Sequence, residues 1–209
     1  MDKNYWRSYY FKQREERLPS LFAKHIVDNY ISNKNTTLIE LGCGNGRDSI
    51  FFSEKGLNVI AIDQVEEEIN FLQDKYSVVN NLEFISGDFT KLEGNSKYNV
   101  VYSRFTLHSI NAEQQDRVLK WSYSHLDPDG LLCIEVRGKK NEIYRKGEQV
   151  AGEEDAFVYE NHYRRFLDFN DLCSQLKDIG FTLIYCQEKK DFAPFKNTNE
   201  TFIRVIAKK

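Results

Sequence analysis

Hydrophobic positions recur along the chain at two spacings, which predict strands and helices in alternation. Short apolar runs predict strands over residues 37–41, 58–63, 82–88, 98–103, 131–136, 181–187 and 201–207. Helical spacing and capping residues predict helices over 20–32, 47–55, 65–76, 112–125 and 168–180. Such alternation is typical of an α/β fold, with a parallel sheet covered by helices on both faces. The last two strands have no helix between them, so one of them should run antiparallel.

The composition narrows the class of protein. A chain of 209 residues with 41% hydrophobic residues can bury one core, and no repeat or linker divides residues 1–209 into separate domains. The net charge of −3 argues against a general nucleic-acid binder. The charged N-terminus and the lack of a long apolar run predict a cytoplasmic protein without a membrane span. The expected oligomeric state is a monomer or a homodimer.

Cysteine usage also bears on the chemistry. The four cysteines, at positions 43, 133, 173 and 186, are far apart and include no C-x-x-C pair. We therefore expect reduced thiols that pack individually, and neither a disulfide framework nor a metal site.

Residues 40–46, ELGCGNG, stand between the first predicted strand and the following helix. Gly42, Gly44 and Gly46 leave the main chain bare, so a ligand can lie against it, and the helix that begins near Arg47 offers free N–H groups. A dinucleotide fingerprint, G-x-G-x-x-G, would need its third glycine at position 47. The observed spacing, preceded by an acid, instead resembles motif I of class I S-adenosylmethionine-dependent methyltransferases.

The resemblance implies a Rossmann-like sheet of seven mostly parallel strands in the order 3-2-1-4-5-7-6, and S-adenosylmethionine as cofactor. It implies that Glu40 holds the loop and the amino end of the cofactor, and that Asp63 accepts both ribose hydroxyls. Asp88 would meet the adenine amino group, with Phe89 near the ring. Each acid taken alone could instead cap a helix or a turn. The other residues predicted on the cofactor side are Arg47, Gln64, Ser103 and Arg104.

Cations and aromatic residues gather where a methyl acceptor is expected. Arginine forks suit planar anions, so we predict a small anionic acceptor, such as a phosphorylated or nucleotide-linked sugar. The long connection at 137–167 is predicted to face the substrate. The predicted substrate-binding residues are Trp6, Arg104, Arg137, Tyr163 and Arg164.

Further motifs are similar to small methyltransferases of bacterial surface-glycan and capsule gene clusters. They are WRSYY at 6–10, LPSLFAKHIV at 18–27, GRDS at 46–49, SRFTLHSI at 103–110 and HYRRF at 162–166. In that group the N-terminal segment folds over the cofactor. This implies that residues 1–32 form a helical lid and that Tyr10 and Ser20 contact the cofactor. The alternative is a helix that packs its aromatic residues on the sheet.

A hydroxyl acceptor must lose a proton as it is methylated, and a positioned base accelerates this step. His108 and His162 are equal candidates for that base, because histidine titrates near the working pH. The leading hypothesis is O-methylation of a small anionic sugar or capsule precursor. The alternatives are a thiol- or metalloid-detoxifying methyltransferase and a non-catalytic S-adenosylmethionine-binding protein.

Overall fold

The computed structural model describes residues 5–7 and 18–209. The main sheet contains β1 (Thr37–Leu41), β2 (Asn58–Asp63), β3 (Leu82–Ser86), β4 (Tyr98–Arg104), β5 (Leu126–Arg137), β9 (Thr182–Lys189) and β10 (Phe202–Lys208). A second, small sheet contains β6 (Glu148–Gln149), β7 (Ala156–Tyr159) and β8 (His162–Arg165). The helices are α1 (Leu21–Tyr30), α2 (Arg47–Glu54), α3 (Glu66–Lys75), α4 (Ala112–His125) and α5 (Phe169–Ile179), besides a helical segment at 5–7. Among the described residues, each helix is too short or too polar to cross a membrane.

The order of strands in the main sheet is β3-β2-β1-β4-β5-β10-β9. The predicted α/β fold is confirmed: counted within this sheet alone, the order is 3-2-1-4-5-7-6. The labels differ in detail because the three strands of the small sheet come before the last two. Strands β1 to β5 pair in parallel, whereas β10 runs antiparallel to both β5 and β9.

Alternate residues along β4 contribute to opposite layers of the core. Val101 belongs to the same buried cluster as Leu119 of α4. Tyr102 instead lies against Phe22 of α1 and Phe52 of α2, with ring centroids 5.1 and 5.0 Å apart. Burying a side chain of this size contributes about 1.5–3 kcal/mol. Packing on both faces therefore fixes the carboxyl ends of the strands at one edge of the sheet.

Helix α5 begins and ends where its capping residues predict. The Asp168 side chain accepts the main-chain N–H groups of Asn170 and Asp171 at 2.9 and 3.2 Å. At the other end Gly180 has φ 118°, and a Cβ there would lie 2.8 Å from the Tyr123 hydroxyl. A side chain would therefore be strained and crowded at this position.

Strand β5 is longer than predicted. Leu126 already pairs with Tyr98, and Leu131 pairs with Val100, so residues 127–130 form a bulge between two paired positions. The bulge reads DPDG, and these residues are typical of turns. The sequence pattern therefore predicted the start of β5 five residues too late.

The connection at 137–167 is more regular than its sequence indicates, because it contains the small sheet. Its β7–β8 hairpin turns at Glu160 and Asn161, whose φ angles are 52° and 57°. Two left-handed residues match the twist of a tight hairpin. The pattern was missed because strands of two to four residues are too short for alternation to be recognised.

The expectation of four separate thiols is wrong for two of the cysteines. Cys43 and Cys133 are buried free thiols. Cys173 of α5 and Cys186 of β9 are paired through their sulfur atoms. The reversal of the chain at Gly180 brings these two positions together, which spacing along the sequence does not reveal. Within residues 5–7 and 18–209, no group of three or more His, Cys, Asp or Glu residues is arranged to hold a metal ion.

Candidate active site

A cavity of about 530 Å³ opens beyond the carboxyl ends of β1, β2, β4 and β5. At this edge the strand order reverses, because β1 lies between β2 and β4. One part of its wall, the glycine-loop side, is formed mainly by Glu40, Gly42, Gly44, Asp63, Gln64 and Phe89. The other part, the basic side, is formed mainly by Arg104, His108, Arg137, His162, Arg164 and Glu200.

The glycine loop is anchored to the end of β2 through its main chain. The N–H groups of Gly42 and Cys43 donate to the carbonyl oxygen of Ile62 at 2.8 and 3.0 Å. Gly42 has φ 77°, and a Cβ there would collide with Thr106. A side chain at this position would therefore be both strained and crowded, so the loop presents bare backbone to the cavity.

Asp63 is buried at the end of β2 and joins the loop to the strand. Its Oδ2 accepts the N–H of Gly44 and its Oδ1 accepts the N–H of Val65, both at 3.0 Å. Each carboxylate oxygen can accept more than one hydrogen bond. The neighbouring Gln64 also lines the cavity, and its buried Nε2 has no hydrogen-bond partner in the described part of the chain.

Asp88 does not line the cavity. Its Oδ1 accepts the main-chain N–H of Thr90 at 3.0 Å and the Thr90 hydroxyl at 2.7 Å. The carboxylate thus caps the 3₁₀ turn Phe89–Lys91. A cap of a helix or a turn was the alternative to a cofactor ligand at this position. The turn places Phe89 in the cavity wall.

Asp48, in the first turn of α2, forms hydrogen bonds to residues around the glycine-loop side. Its carboxylate accepts the main-chain N–H and the hydroxyl of Ser20, each at 2.7 Å, and the hydroxyl of Tyr102 at 2.8 Å. Ser20 is also the N-cap of α1. The start of the N-terminal helix is therefore fastened to the helix that follows the glycine loop. The motif GRDS, which contains Asp48, was recognised in the sequence, but it did not indicate these contacts.

Glu40, at the end of β1, is buried beside Asp48 and accepts a hydrogen bond from the hydroxyl of Ser49. Burial, followed by the nearby Asp48 carboxylate, raises the pKa of Glu40 well above its ordinary value. A cation beside Glu40 would favour its carboxylate form and lower this pKa.

The remaining residues predicted on the cofactor side have different surroundings. Gly46 is the N-cap of α2, and a Cβ there would lie 2.9 Å from the ring of Phe84, so this glycine serves helix–strand packing. Arg47 lines the cavity. Ser103 is buried behind the wall and is hydrogen-bonded to Thr106. Tyr10 lies outside the described residues.

Arg104 and Arg137 both face the cavity, and a carboxylate accompanies each of them. Arg104 donates from Nε to Glu135 at 2.9 Å, and its guanidinium lies 4.0 Å from the centre of the Phe105 ring. Arg137 forms an ion pair with Glu200. These partners hold the two guanidinium groups in place, and Glu135 also pairs with Arg204.

The side chains of β8 alternate between two faces. His162 and Arg164 are buried and line the cavity. Tyr163 points to the opposite face, where its hydroxyl donates to Glu153 at 2.7 Å. Tyr163 therefore does not reach the cavity, because successive residues of a strand point to opposite sides.

The aromatic residues of the N-terminal segment cover His162. The ring of Tyr5 stacks on the imidazole with centroids 4.1 Å apart, and Trp6 meets it edge-on at 4.8 Å. Both residues line the cavity. Among the described N-terminal residues, Ser20 therefore lies on the glycine-loop side, and Tyr5 and Trp6 lie on the basic side.

His108 is 3% exposed, and its Nδ1 has no hydrogen-bond partner within residues 5–7 and 18–209. Burial, followed by the positive charge of Arg137, lowers the pKa of His108 well below its ordinary value. Its imidazole is therefore neutral near pH 7. A neutral imidazole can accept a proton, which an imidazolium cannot.

A family model described as "Methyltransferase domain" matches residues 7–185 of the chain. The chain belongs to this methyltransferase family. The match covers the glycine loop, the ends of β1 to β5 and the small sheet, which form most of the cavity wall, and the prediction of a methyltransferase is confirmed.

Individual relatives of this methyltransferase act on different acceptors. The ubiquinone biosynthesis O-methyltransferase of Rickettsia canadensis (strain McKiel) is 24% identical over 80% of this chain and 71% of its own length. The cypemycin N-terminal methyltransferase of a Streptomyces species is 30% identical over 47% of this chain and only 41% of its own length. The 1,6-didemethyltoxoflavin-N1-methyltransferase of Burkholderia thailandensis, solved with S-adenosylhomocysteine, has a TM-score of 0.73 at 19% identity, covering 99% of this chain and 86% of that one. The last likeness shows the shared fold.

Sequence reasoning missed part of the methyltransferase cavity. Phe195 and Glu200, from the loop between β9 and β10, line it together with Phe202. The available signal was the length of this connection, since 12 residues are more than an antiparallel hairpin needs. Phe105 was also missed, although its φ of 60° places its ring between Arg104 and Phe202.

Proposed function

We propose that this methyltransferase transfers the methyl group of S-adenosylmethionine to a hydroxyl oxygen of a small anionic acceptor. A phosphorylated or nucleotide-linked sugar, such as a capsule or other surface-glycan precursor, is the leading class. One observation carries the proposal: the neutral imidazole of His108 shares a cavity wall with the guanidinium groups of Arg104, Arg137 and Arg164. Such a wall offers a base for the hydroxyl proton and cations for the acid group of the acceptor.

The glycine-loop side fits the proposed cofactor. S-adenosylmethionine carries a sulfonium and an ammonium, and the buried acids Glu40, Asp48 and Asp63 suit a cationic ligand. Asp63 would hold the ribose hydroxyls, and the unpaired Nε2 of Gln64 offers a further donor. The bare backbone at Gly42 leaves room for close approach. A solved protein of the same fold contains S-adenosylhomocysteine, the demethylated product.

The residues of the chain then have separate tasks. The cofactor supplies an activated methyl group. The basic side holds the acceptor so that its hydroxyl oxygen lies toward the glycine-loop side, and such alignment lowers the barrier substantially. His108 accepts the hydroxyl proton as the new bond forms. Tyr5 and Trp6, which cover His162, would exclude water from the reacting groups.

Binding of the cofactor is expected to release a proton from Glu40. Without ligand the pKa of Glu40 is raised by burial and by Asp48. A neighbouring ammonium group favours the carboxylate and lowers that pKa, so the proton leaves at a pH between the two values, and affinity rises with pH over this window. Calorimetric titration with S-adenosylhomocysteine in buffers of different ionisation enthalpy measures the proton count. Glu40→Gln should release none, and an unchanged count in this variant would exclude Glu40 as the source.

The proposed acceptor class is tested with pairs of acceptors that differ only in charge. Sugar phosphates and nucleotide sugars are compared with their uncharged parent sugars, and release of S-adenosylhomocysteine is measured. We expect at least about tenfold higher kcat/KM for the anionic members, since a charged hydrogen bond contributes about 1.5–3 kcal/mol. Preference for thiols or metalloids would support a detoxifying methyltransferase instead. Tight binding of the cofactor with no transfer to any acceptor would support a non-catalytic binding protein.

A further inference from the structure

The three guanidinium groups of the basic side differ in their partners. Arg104 pairs with Glu135, and Arg137 pairs with Glu200. Arg164, in contrast, forms no ion pair with any carboxylate of residues 5–7 and 18–209. Its Nη1 instead donates to the main-chain carbonyl oxygens of Tyr159 and His162, at 2.7 and 3.5 Å.

Arg164 is only 9% exposed, so its charge is withdrawn from water without a counter-ion in contact. A buried charge is costly unless it is paired, and natural proteins seldom leave one uncompensated. Glu160 and Glu200 act on this guanidinium only at longer range. Glu160 is exposed, and Glu200 is already engaged by Arg137. Among the described residues, no carboxylate therefore contacts the Arg164 guanidinium where it borders the cavity.

We infer that Arg164 is the residue that binds the anionic group of the acceptor, a carboxylate or a phosphate. Arg104 and Arg137, each of which already contacts a carboxylate, shape the wall around it. The inference deepens the proposed function and rests on it. The other two nitrogens of the guanidinium, Nε and Nη2, carry further N–H donors in the same plane. Carboxylate and phosphate oxygens can accept hydrogen bonds from such a planar pair of donors.

The hairpin that carries Arg164 is also fixed relative to His108. Arg165, the next residue of β8, donates from Nε to the carbonyl oxygen of Ile110 at 3.0 Å, and this tie reaches the segment that holds His108. The left-handed turn at 160–161 orients the carbonyl oxygen of Tyr159, which accepts a hydrogen bond from Nη1 of Arg164. The spacing between the anion and the reacting hydroxyl is therefore set by rigid elements, which selects acceptors by length as well as by charge.

A first test needs no acceptor. Thermal unfolding is followed for the wild type, Arg164→Gln and Arg117→Gln, with S-adenosylhomocysteine at saturation and with inorganic phosphate or, at equal ionic strength, chloride. Arg117 is a matched control, because it lies on the exposed face of α4. Phosphate should raise the midpoint of the wild type and of Arg117→Gln, and Arg164→Gln should lose this shift. An equal shift in Arg164→Gln, or no shift in the wild type, would overturn the assignment.

A second test uses an anionic acceptor and its uncharged counterpart. Arg164→Gln should raise KM for the anionic acceptor about 10- to 100-fold more than KM for the uncharged acceptor, and kcat for the anionic acceptor should change by less than about threefold. Arg164→Lys should recover part of the loss. An unchanged KM for the anionic acceptor would refute the role of Arg164 while the proposed function stands. If the wild type methylates uncharged acceptors alone, the proposed function fails, and the phosphate shift still decides whether Arg164 binds anions.

Discussion

Replacing His108 with glutamine is expected to lower kcat for a hydroxyl acceptor by about 10²–10⁴-fold, the usual contribution of a positioned base. The physical reason is that the buried imidazole of His108 is held neutral beside guanidinium groups and can therefore accept a proton. Glutamine fills a similar volume and keeps a hydrogen-bonding group, but it cannot take up the proton. The measurement is single-turnover methyl transfer with the cofactor and the acceptor at saturation.

The pH dependence of the same reaction gives an independent check. Burial and the charge of Arg137 lower the pKa of His108, so protonation of this base begins only below the ordinary range of histidine. The rate should therefore stay nearly constant from about pH 7 to 9, and an acid limb should fall below about pH 6.5. In His108→Gln that limb should disappear.

His162→Gln and His25→Gln serve as comparisons. His162 is packed under Tyr5 and Trp6, so its replacement should disturb acceptor binding and raise KM more than it lowers kcat. His25 lies on α1 outside the cavity wall, and its replacement should leave both constants unchanged. A normal kcat in His108→Gln with a large loss in His162→Gln would transfer the role of the base to His162.

Replacing Asp63 with alanine is expected to weaken the binding of S-adenosylhomocysteine by about 100-fold or more. Two effects add: the ribose hydroxyls lose a charged acceptor, and the N–H of Gly44 loses the carboxylate that fixes the glycine loop. Hydrogen bonds to a charged group contribute about 1.5–3 kcal/mol, and 1.4 kcal/mol corresponds to tenfold in affinity. Calorimetry with the purified protein measures the change directly.

Asp88→Ala separates a cofactor ligand from a turn cap. Because Asp88 is directed to Thr90 rather than into the cavity, its loss should cost about 1 kcal/mol of stability and change affinity only slightly. Asp63→Asn, which keeps one acceptor oxygen for Gly44, should lie between Asp63→Ala and the wild type. If Asp88→Ala were the weaker binder and Asp63→Ala bound normally, the arrangement proposed for the glycine-loop side would be untenable.

The sheet could be predicted from the sequence because its strands have at least five residues and its central strands are buried on both faces. The bounds of β1 and β2 match the predicted apolar runs, and Asp168 marks the start of α5. The strands of the small sheet could not be found in this way. They have only two to four residues, and their pairing depends on a left-handed turn at Glu160 and Asn161 rather than on an apolar pattern.

The candidate site was predictable only where function coincides with strand ends. Asp63 and Arg104 lie in the cavity wall because the carboxyl ends of parallel strands converge there. Successive residues of β8 point to opposite faces, so Arg164 faces the cavity and Tyr163 does not. A shift of the strand by one residue would reverse this, and the sequence does not indicate the register. The pairing of Arg137 with Glu200 joins positions 63 residues apart, and no local pattern in the sequence indicates it.

Glu135 is fully enclosed and serves Arg104 of the cavity wall and Arg204 of β10 at the same time. Changing Glu135 to a neutral residue would leave two guanidinium groups in the interior without their carboxylate, at a cost of about 3–5 kcal/mol. Loss of either arginine alone would still leave one matched pair. In descendants of this sequence, position 135 should therefore be the most constrained of the three.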